Sequence, residues 1–565
     1  MRARYTFAAI VATLSLVDVA LGQTVPIGNV LPQIPEPRPD FRRDTLPPEQ
    51  AAPVARELGK PDDDITIDVT DYRIEGGPPE LAALAKDITR GFTGPHRHYE
   101  DLINAVNAVT RHLQGELGYY LGYAYLPEQV PENGVVRIAV LEGWLDRVDV
   151  VWPAEPLPVD REVVQRYLDH FVPGAVLTVR EVERTIFLLN DLHGISVRFE
   201  VRSGSRPGTA RLVAHPVAER NLAARVDIDN FGSRYSGLMR AAVGADWASP
   251  GGRGDKLSVN ALTTTDAGLR FALAGYSRPV GDDGLKIGAT LSFVEYGLDR
   301  TLLPLDLHGH AFASTGYALY PIVRSRNLNT FVLASIEQKS YSDAQGANGI
   351  DTDKHTNSQS LSLSGDFRDS LAGGAVSTYE LSYSTGKLIY DSPRPAGLDN
   401  PERYAKANYA YTRLQSVING RLLGYLNLRG QRARTNLDTT EQFRIGGPEG
   451  VRAFAPGEGT GDEGVLVTGE LRLLPPEALL GSLAREFVVS AFYDWGRWRA
   501  RRDESGQPSS FINHGILSGG GVGGAWEGGR DFIAKASVAW RGRGAAVADP
   551  SNRNPRIYFQ LTRKF

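Results

Sequence analysis

Asp531-Phe532-Ile533-Ala534-Lys535-Ala536-Ser537-Val538-Ala539-Trp540-Arg541 is the stretch whose pattern decides the fold of this chain. Side chains of an extended strand alternate between two faces. Phe532, Ala534, Ala536, Val538 and Trp540 therefore share one face, and Lys535, Ser537 and Arg541 the other. The same division recurs upstream. Tyr379, Leu381 and Tyr383 oppose Glu380, Ser382 and Ser384, and Val465, Val467, Leu471 and Leu473 oppose Thr468, Glu470 and Arg472. A soluble sandwich also alternates, but charges such as Lys535 and Glu470 in mid-strand fit better against a water-filled lumen, with the apolar face in lipid.

About sixteen such segments follow one another, starting near residues 221, 237, 256, 269, 284, 310, 328, 357, 374, 403, 418, 464, 486, 517, 531 and 556, and a closed bacterial barrel needs an even number. The expected fold class is mixed: a transmembrane antiparallel β-barrel of about 16 strands over 219–565, with α+β modules in front. With 61 Gly, 23 Tyr, 20 Phe and 7 Trp against 2 Met, the composition suits many strands and turns. In the last segment Ile557, Phe559 and Leu561 alternate with Tyr558, Gln560 and Thr562, and the chain ends on Phe565. A terminal aromatic in that place resembles the sorting signal of outer-membrane barrels.

Ahead of the barrel the chain reads as an exported protein. Residues 1–22 have the form of a signal peptide: Arg2 and Arg4 are its positive end, Phe7 to Leu21 its apolar core and Ala20-Leu21-Gly22 its cleavage site. No later apolar run approaches the roughly 18–20 residues of a membrane-spanning helix. Residues 23–63 carry Pro at 32, 35, 37, 39, 47, 48, 53 and 61 and read as a linker, with room for a short plug-like helix near Pro48 to Leu58. The next unit, 64–143, begins with Ile65, Ile67 and Val69 as a half-buried strand. A helix follows over 80–88, then one whose Leu102, Ala105, Val106, Val109, Leu113 and Leu117 share a face, then strands at 119–126 and 135–141. The order strand, helix, helix, strand, strand repeats over 144–218: strand 145–151, helices 161–170 and 179–192, strands 195–201 and 210–214. The second of these helices opens with the capping box Thr178-Val179-Arg180-Glu181.

Several function classes fall away. There is no cysteine, hence no disulfide or thiolate metal site, and 62 basic against 66 acidic residues give no electrostatic case for nucleic acid. Gly519 to Gly524 satisfies a dinucleotide-binding pattern, but without a following helix it reads as a glycine-rich barrel strand. Arg253-Gly254-Asp255 reads as a periplasmic turn, not an adhesion motif. His96 with His98, and His308 with His310, lack acidic or thiol ligands at metal spacing. No nucleophile elbow or zinc-protease helix occurs, so no enzyme and no cofactor is expected.

The longest interruption between strands, from about Gln431 to Glu463, contains Phe443-Arg444-Ile445-Gly446-Gly447 and then Val451-Arg452-Ala453-Phe454. Downstream stands Phe492-Tyr493-Asp494-Trp495-Gly496. Together these resemble two-partner secretion transporters of the outer-membrane assembly-factor superfamily, in which a Val-Arg-Gly-Phe/Tyr loop folds back into the barrel and its Arg meets an Asp of a Phe-x-Asp-x-Gly strand. Ala453 stands where that family has Gly. Leu188-Leu189-Asn190-Asp191-Leu192-His193-Gly194-Ile195, followed by Pro207-Gly208-Thr209, is similar to the end of the family's second polypeptide-transport-associated (POTRA) module, with Asn190, Leu192 and Gly194 as its marks. Asp227 to Asn230, Gly232 and Gly237 resemble the first barrel strand and its hairpin.

The resemblance implies an Arg452–Asp494 pair in the lumen, with Glu470 either joining it or keeping the lumen wet. It implies periplasmic POTRA modules over 64–143 and 144–218, and export of an unfolded exoprotein, recognised by its N-terminal secretion domain, without nucleotide. Outer-membrane lipid and, during biogenesis, the barrel-assembly machinery are its further implied partners. The alternative within the superfamily is a factor that inserts other barrels, against which two modules rather than a longer array argue. A porin, a barrel enzyme and a soluble adhesin are more distant readings.

Overall fold

The structure is a computed structural model that describes residue 60 and residues 65–565, apart from 207, 395–399, 419–420, 506, 508–510, 529–530, 548 and 550. The expected signal peptide lies outside the described residues, as do all but residue 60 of the expected linker and Pro207 of the POTRA-like stretch.

Strand β1 (Ile67–Val69) forms a two-stranded ribbon with β3 (Gly94–Arg97), while β2 (Asp71–Glu75) enters the first module's sheet. The half-buried strand expected from Ile65, Ile67 and Val69 is present over Ile67–Val69 but lies in this ribbon, and the sequence reading missed β2. Ile65 is exposed, whereas Val69 of β1 and Tyr72 and Ile74 of β2 are buried in one core. Two alternating runs stand side by side here, and periodicity alone cannot say which one finds the sheet. The single helix expected over 80–88 is two short ones, α1 (Pro79–Ala83) and α2 (Ala85–Thr89). Helix α3 (Tyr99–Gly115) buries Leu102, Ala105, Val106, Val109 and Leu113 against the sheet. Strand β5 (Val135–Leu141) runs parallel to β2 and antiparallel to β4 (Tyr123–Tyr125).

The second module repeats this topology. Strand β6 (Trp144–Val150) is parallel to β8 (Thr209–Ala218), which is antiparallel to β7 (Ile195–Ser203). Over this sheet pack α4 (Arg161–Leu168) and α5 (Val179–Asn190). The capping box forms: Thr178 Oγ1 accepts from the Glu181 amide at 3.2 Å and the Glu181 carboxylate accepts from the Thr178 amide at 3.2 Å.

Among the described residues sixteen strands, β9 to β19 and β22 to β26, close into one antiparallel barrel. They include β9 (Leu222–Asp229), β10 (Arg240–Ala248), β11 (Lys256–Thr264), β12 (Leu269–Val280), β13 (Leu285–Gly297), β14 (Leu307–Arg324), β15 (Leu328–Gln345), β16 (Ile350–Asp369), β17 (Ala375–Tyr390), β18 (Arg403–Ile418) and β19 (Leu422–Ala433). After the long loop come β22 (Glu463–Leu473), β23 (Phe487–Arg499), β24 (His514–Gly528), β25 (Phe532–Arg541) and β26 (Arg556–Lys564). β16 starts at Ile350, earlier than the 357 expected, because Asp351 to His355 is polar on both faces and carries no alternation to read. Val243, Ile336, Leu381, Leu471 and Trp540 are exposed on the outer wall, whereas Ser382, Thr468 and Asp494 are buried on the inner side. That inversion is stable only where the outer solvent is hydrocarbon. No helix of the described residues is long and apolar enough to cross a membrane.

The barrel closes through a short seam in which β26 and β9 pair only from Gln560–Asp229 to Lys564–Arg225. The Asn230 side chain extends it, donating to Ile557 O at 3.0 Å and accepting from the Phe559 amide at 2.8 Å. At the other end Phe565 continues it: its amide donates to Ala224 O at 2.8 Å.

Candidate functional site: the inward loop and the joint beneath the barrel

The chain between β19 and β22 turns back into the lumen. There β20 (Phe443–Arg444) pairs with β21 (Thr460–Gly461), and the Val451 amide closes the tip on Ile445 O at 2.7 Å. Ile445, Val451, Ala453 and Phe454 are fully or nearly fully buried against Leu466, Phe492, Leu517 and Ala539 of the wall. The Tyr558 hydroxyl donates to Phe454 O at 2.8 Å.

Arg452 sits in a cage of wall side chains. Its Nε and Nη2 donate to the two oxygens of Asp494 at 2.8 and 2.7 Å, a bidentate fork, and its Nη1 donates to Glu470 Oε1 at 2.7 Å. The Arg452 amide also donates to Asp494 Oδ2 at 3.1 Å, and the Thr468 hydroxyl to Oδ1 at 3.0 Å. The guanidinium lies 3.3 Å from the centroid of the Phe492 ring. Arg472 donates to the second oxygen of Glu470 at 2.7 Å and stacks on Tyr425 at 3.8 Å. Two cations and two anions thus balance in a buried cluster that spans β22, β23 and the loop tip. Glu470 joins the Arg452 cluster. Such a bidentate pair is directional as well as strong, so it fixes the position of the tip.

Glycines make room for the tip. A Cβ on Gly496 would lie 2.2 Å from Ile445 Cγ2, and one on Gly519 would lie 2.4 Å from Ala453 Cβ. The glycine-rich segment Gly519 to Gly524 is therefore a strand, part of β24, whose first glycine receives the loop. Ala453 is not among the residues at positive φ, so its methyl brings no backbone strain and occupies the space left by Gly519. Gly519→Ala is expected to weaken loop docking by about 1–3 kcal/mol, the usual range for overpacking. Ala453→Gly in the same chain should restore part of it, since the 2.8 Å approach to Trp540 O remains, measured as protease resistance of the loop in outer membranes.

The root of the loop is held by lysines of the wall. Glu441 meets Lys406 of β18 at 2.8 Å and Lys339 of β15 at 3.3 Å, and Asp438 meets Lys354 of β16 at 3.0 Å. Burial would raise the Glu441 carboxyl, but the two lysines overcome it and hold it at about 2. Asp462, at the end of the loop, behaves oppositely. Its carboxylate accepts from the Leu437 amide at 3.1 Å, Gln442 Nε2 at 2.8 Å and the Arg502 amide at 2.9 Å, yet burial raises it to about 6. A group raised above its unfolded value stabilises the fold fully below that value, near 3.8, and loses this contribution as pH rises through about 6. The Leu437 and Arg502 amides should accordingly be better protected from hydrogen exchange at pH 5 than at pH 7.5, after correction for intrinsic exchange. Asp462→Asn should flatten the dependence.

Below the barrel, the stretch around Asn190, Leu192 and Gly194 forms the joint between the second module and the periplasmic turns. Asn190 ties α5 to β7: its Nδ2 donates to Ile186 O and Val197 O at 2.9 and 3.1 Å, and its Oδ1 accepts from the Val197 amide at 2.7 Å. Leu192 lies in the module core and against Gly254, where a Cβ would approach it to 2.8 Å. Gly194 adopts φ 98° beside Pro158 and Ser249, a conformation and a spacing that leave no room for a side chain. Between them Asp191 accepts a fork from Arg324 of β14 at 2.8 and 2.5 Å, and the remaining Arg324 Nη1 donates to Asn329 at 2.7 Å. Arg184 of α5 reaches Asp283 Oδ1 at 2.7 Å in the next turn. The Arg253-Gly254-Asp255 turn packs under the same module, since the Asp160 amide donates to Gly252 O at 2.8 Å. Asp255 is buried and accepts from Gly251, Arg253 and Tyr276, which leaves no carboxylate to present to an adhesion receptor.

Reading the sequence pairs Arg452 with Asp494 but finds neither the three lysines nor the Asp191–Arg324 fork. The lysines had a signal, a cation in mid-strand on the polar face. Arg324 had none, because its partner lies 133 residues away.

Residues 208–525 match the haemolysin secretion/activation protein family ShlB/FhaC/HecB, and residues 68–143 match the ShlB-type POTRA domain. The heme/hemopexin transporter protein HuxB of Haemophilus influenzae is 24% identical over 448 residues, covering 77% of this chain and 75% of its own. The solved structure of CdiB from Escherichia coli superposes with a TM-score of 0.65 at 18% identity, covering 91% of this chain and 93% of that one. CdiB from Acinetobacter baumannii gives 0.60 at 17% identity, covering 100% and 97%.

Proposed function

The chain belongs to the ShlB/FhaC/HecB haemolysin secretion/activation family and is a two-partner secretion transporter of the outer membrane; from that footing we propose how it holds and passes its cargo. The modules receive an unfolded exoprotein in the periplasm through its N-terminal secretion domain. An extended segment pairs with a sheet edge, for which the part of edge strand β7 beyond Val197, whose own amide and carbonyl are held by Asn190, is suited. The cargo then passes up the barrel, while the inward loop closes the lumen at rest and shapes the path when export begins.

The observation that carries this reading is the Arg452 cluster: a neutral, buried set of forks that locks the loop tip to β22 and β23. In this reading the step uses no nucleotide, and folding of the cargo outside supplies the direction.

Reconstitution tests the proposal. The transporter is placed in liposomes and offered an unfolded protein that carries an N-terminal secretion domain. Protease-protected cargo should accumulate inside without nucleotide, and an unrelated unfolded polypeptide should be left outside. A requirement for ATP, or equal uptake of the unrelated chain, would contradict it.

A further inference from the structure

On β12 the outward side chains are Ala272, Ala274, Tyr276, Arg278 and Val280, alternating with inward ones. The register places Trp247 of β10 opposite Leu257 of β11, and Leu257 opposite Tyr276. This outward row of Trp, Leu and Tyr near the periplasmic end marks the level of the lipid headgroups. Arg278 lies one alternation further toward the periplasm, opposite the exposed Ile287 of β13.

Two more arginines converge on it. Arg253 projects from the periplasmic turn that the buried Asp255 holds in shape, and Arg166 comes from α4, whose Val163 and Tyr167 are buried in the second module. All three line one small cavity, open to solvent, together with Val163, Pro279 and Val280. Each is solvent-exposed, and among the described residues none of the three guanidinium groups has a hydrogen-bond or ion-pair partner. Of the carboxylates nearby, Asp160 and Glu162 line the wider groove that continues from the cavity, and Asp255 is engaged by the turn and by Tyr276. Three guanidinium groups on one cavity, with Asp160 and Glu162 only in the adjoining groove and in no ion pair with them, leave the cavity itself positive, and guanidinium forks match phosphate oxygens.

We propose that this cavity seats the phosphate of an anionic phospholipid of the periplasmic leaflet. Its acyl chains lie along the outer wall over Tyr276, Trp247 and Ile287, continuous with the bilayer, which is what separates a lipid from a free anion. Because Arg166 belongs to the second module and the other two to the barrel, the bound headgroup bridges the two and steadies the joint. The requirement for a net negative headgroup follows from the uncompensated charge; basic pockets at membrane surfaces select such lipids.

The test uses the full-length transporter released from detergent in native mass spectrometry, titrated with phosphatidylglycerol or phosphatidylethanolamine, with and without millimolar inorganic phosphate. Phosphatidylglycerol should bind about tenfold more tightly than phosphatidylethanolamine and resist displacement by phosphate. The triple variant Arg166→Gln, Arg253→Gln, Arg278→Gln should lose that preference while keeping heat-modifiable migration. Equal binding of the two lipids by the unmodified protein overturns the proposal, as does undiminished selectivity in a folded triple variant. Displacement by inorganic phosphate alone would make the cavity a free-anion site and overturn the lipid assignment.

Discussion

Arg452→Ala leaves the barrel assembled and cuts export of the cargo by at least about tenfold, read as surface-exposed cargo per folded transporter. The reason is what the substitution abandons. Asp494 is fully buried and would keep only the Thr468 hydroxyl and the amide of residue 452, with no cation beside it, while Glu470 would keep Arg472. Removing one member of a buried pair typically costs about 3–5 kcal/mol, because the other charge stays desolvated and unpaired. Spent on the docking equilibrium of the loop, this is roughly a hundredfold to several thousandfold in the docking constant. The barrel survives because its strand ladders do not pass through Arg452. Arg452→Lys keeps the charge but not the fork or the stacking on Phe492, and should remain impaired. Normal export by Arg452→Ala would remove the role given to the loop.

Asp191→Ala should loosen the second module from the barrel by a similar about 3–5 kcal/mol, since it strands Arg324 in a site where its side chain is 1% exposed. Spin labels on α5 and on the β12–β13 turn should report a sharp distance distribution in the unmodified protein and a broad one in the variant. Replacing Asp191 and Arg324 together by Leu removes both charges and should recover much of the order, because an apolar pair of similar volume is often no worse than a buried ion pair. A variant Asp191→Ala with an unchanged distance distribution would show that backbone contacts such as Asp160 to Gly252 suffice.

The barrel is legible in the sequence because lipid imposes a simple rule, apolar outward at every second residue, which Phe532 to Trp540 obeys over its whole length. It fails to be legible where both faces meet water, as in Asp351 to His355. The repeated module is legible through its helices, whose buried faces recur at helical spacing, but the first sheet strand is not: Ile65 to Val69 and Asp71 to Glu75 both alternate, and only the three-dimensional sheet selects the second. In the loop, Val451 to Phe454 and Asp494 are readable from their motifs. The fit of Ala453 into Gly519 is a matter of packing between segments far apart, and so are the lysine clamps on Asp438 and Glu441. Local pattern carries no information about which charged side chains will share a buried volume.

The presence of the loop inside the membrane-embedded barrel can be tested by one cross-link. A Cβ on Gly496 would stand 3.4 Å from that of Ile445, close to the roughly 3.5–4.5 Å that a disulfide spans, and the chain has no cysteine of its own. With Ile445→Cys and Gly496→Cys introduced together, mild oxidation of isolated outer membranes should join the two thiols in most molecules, seen as a reducible shift in migration. Two thiols that stay free and react with a membrane-impermeant reagent added from outside would contradict a loop docked on β23.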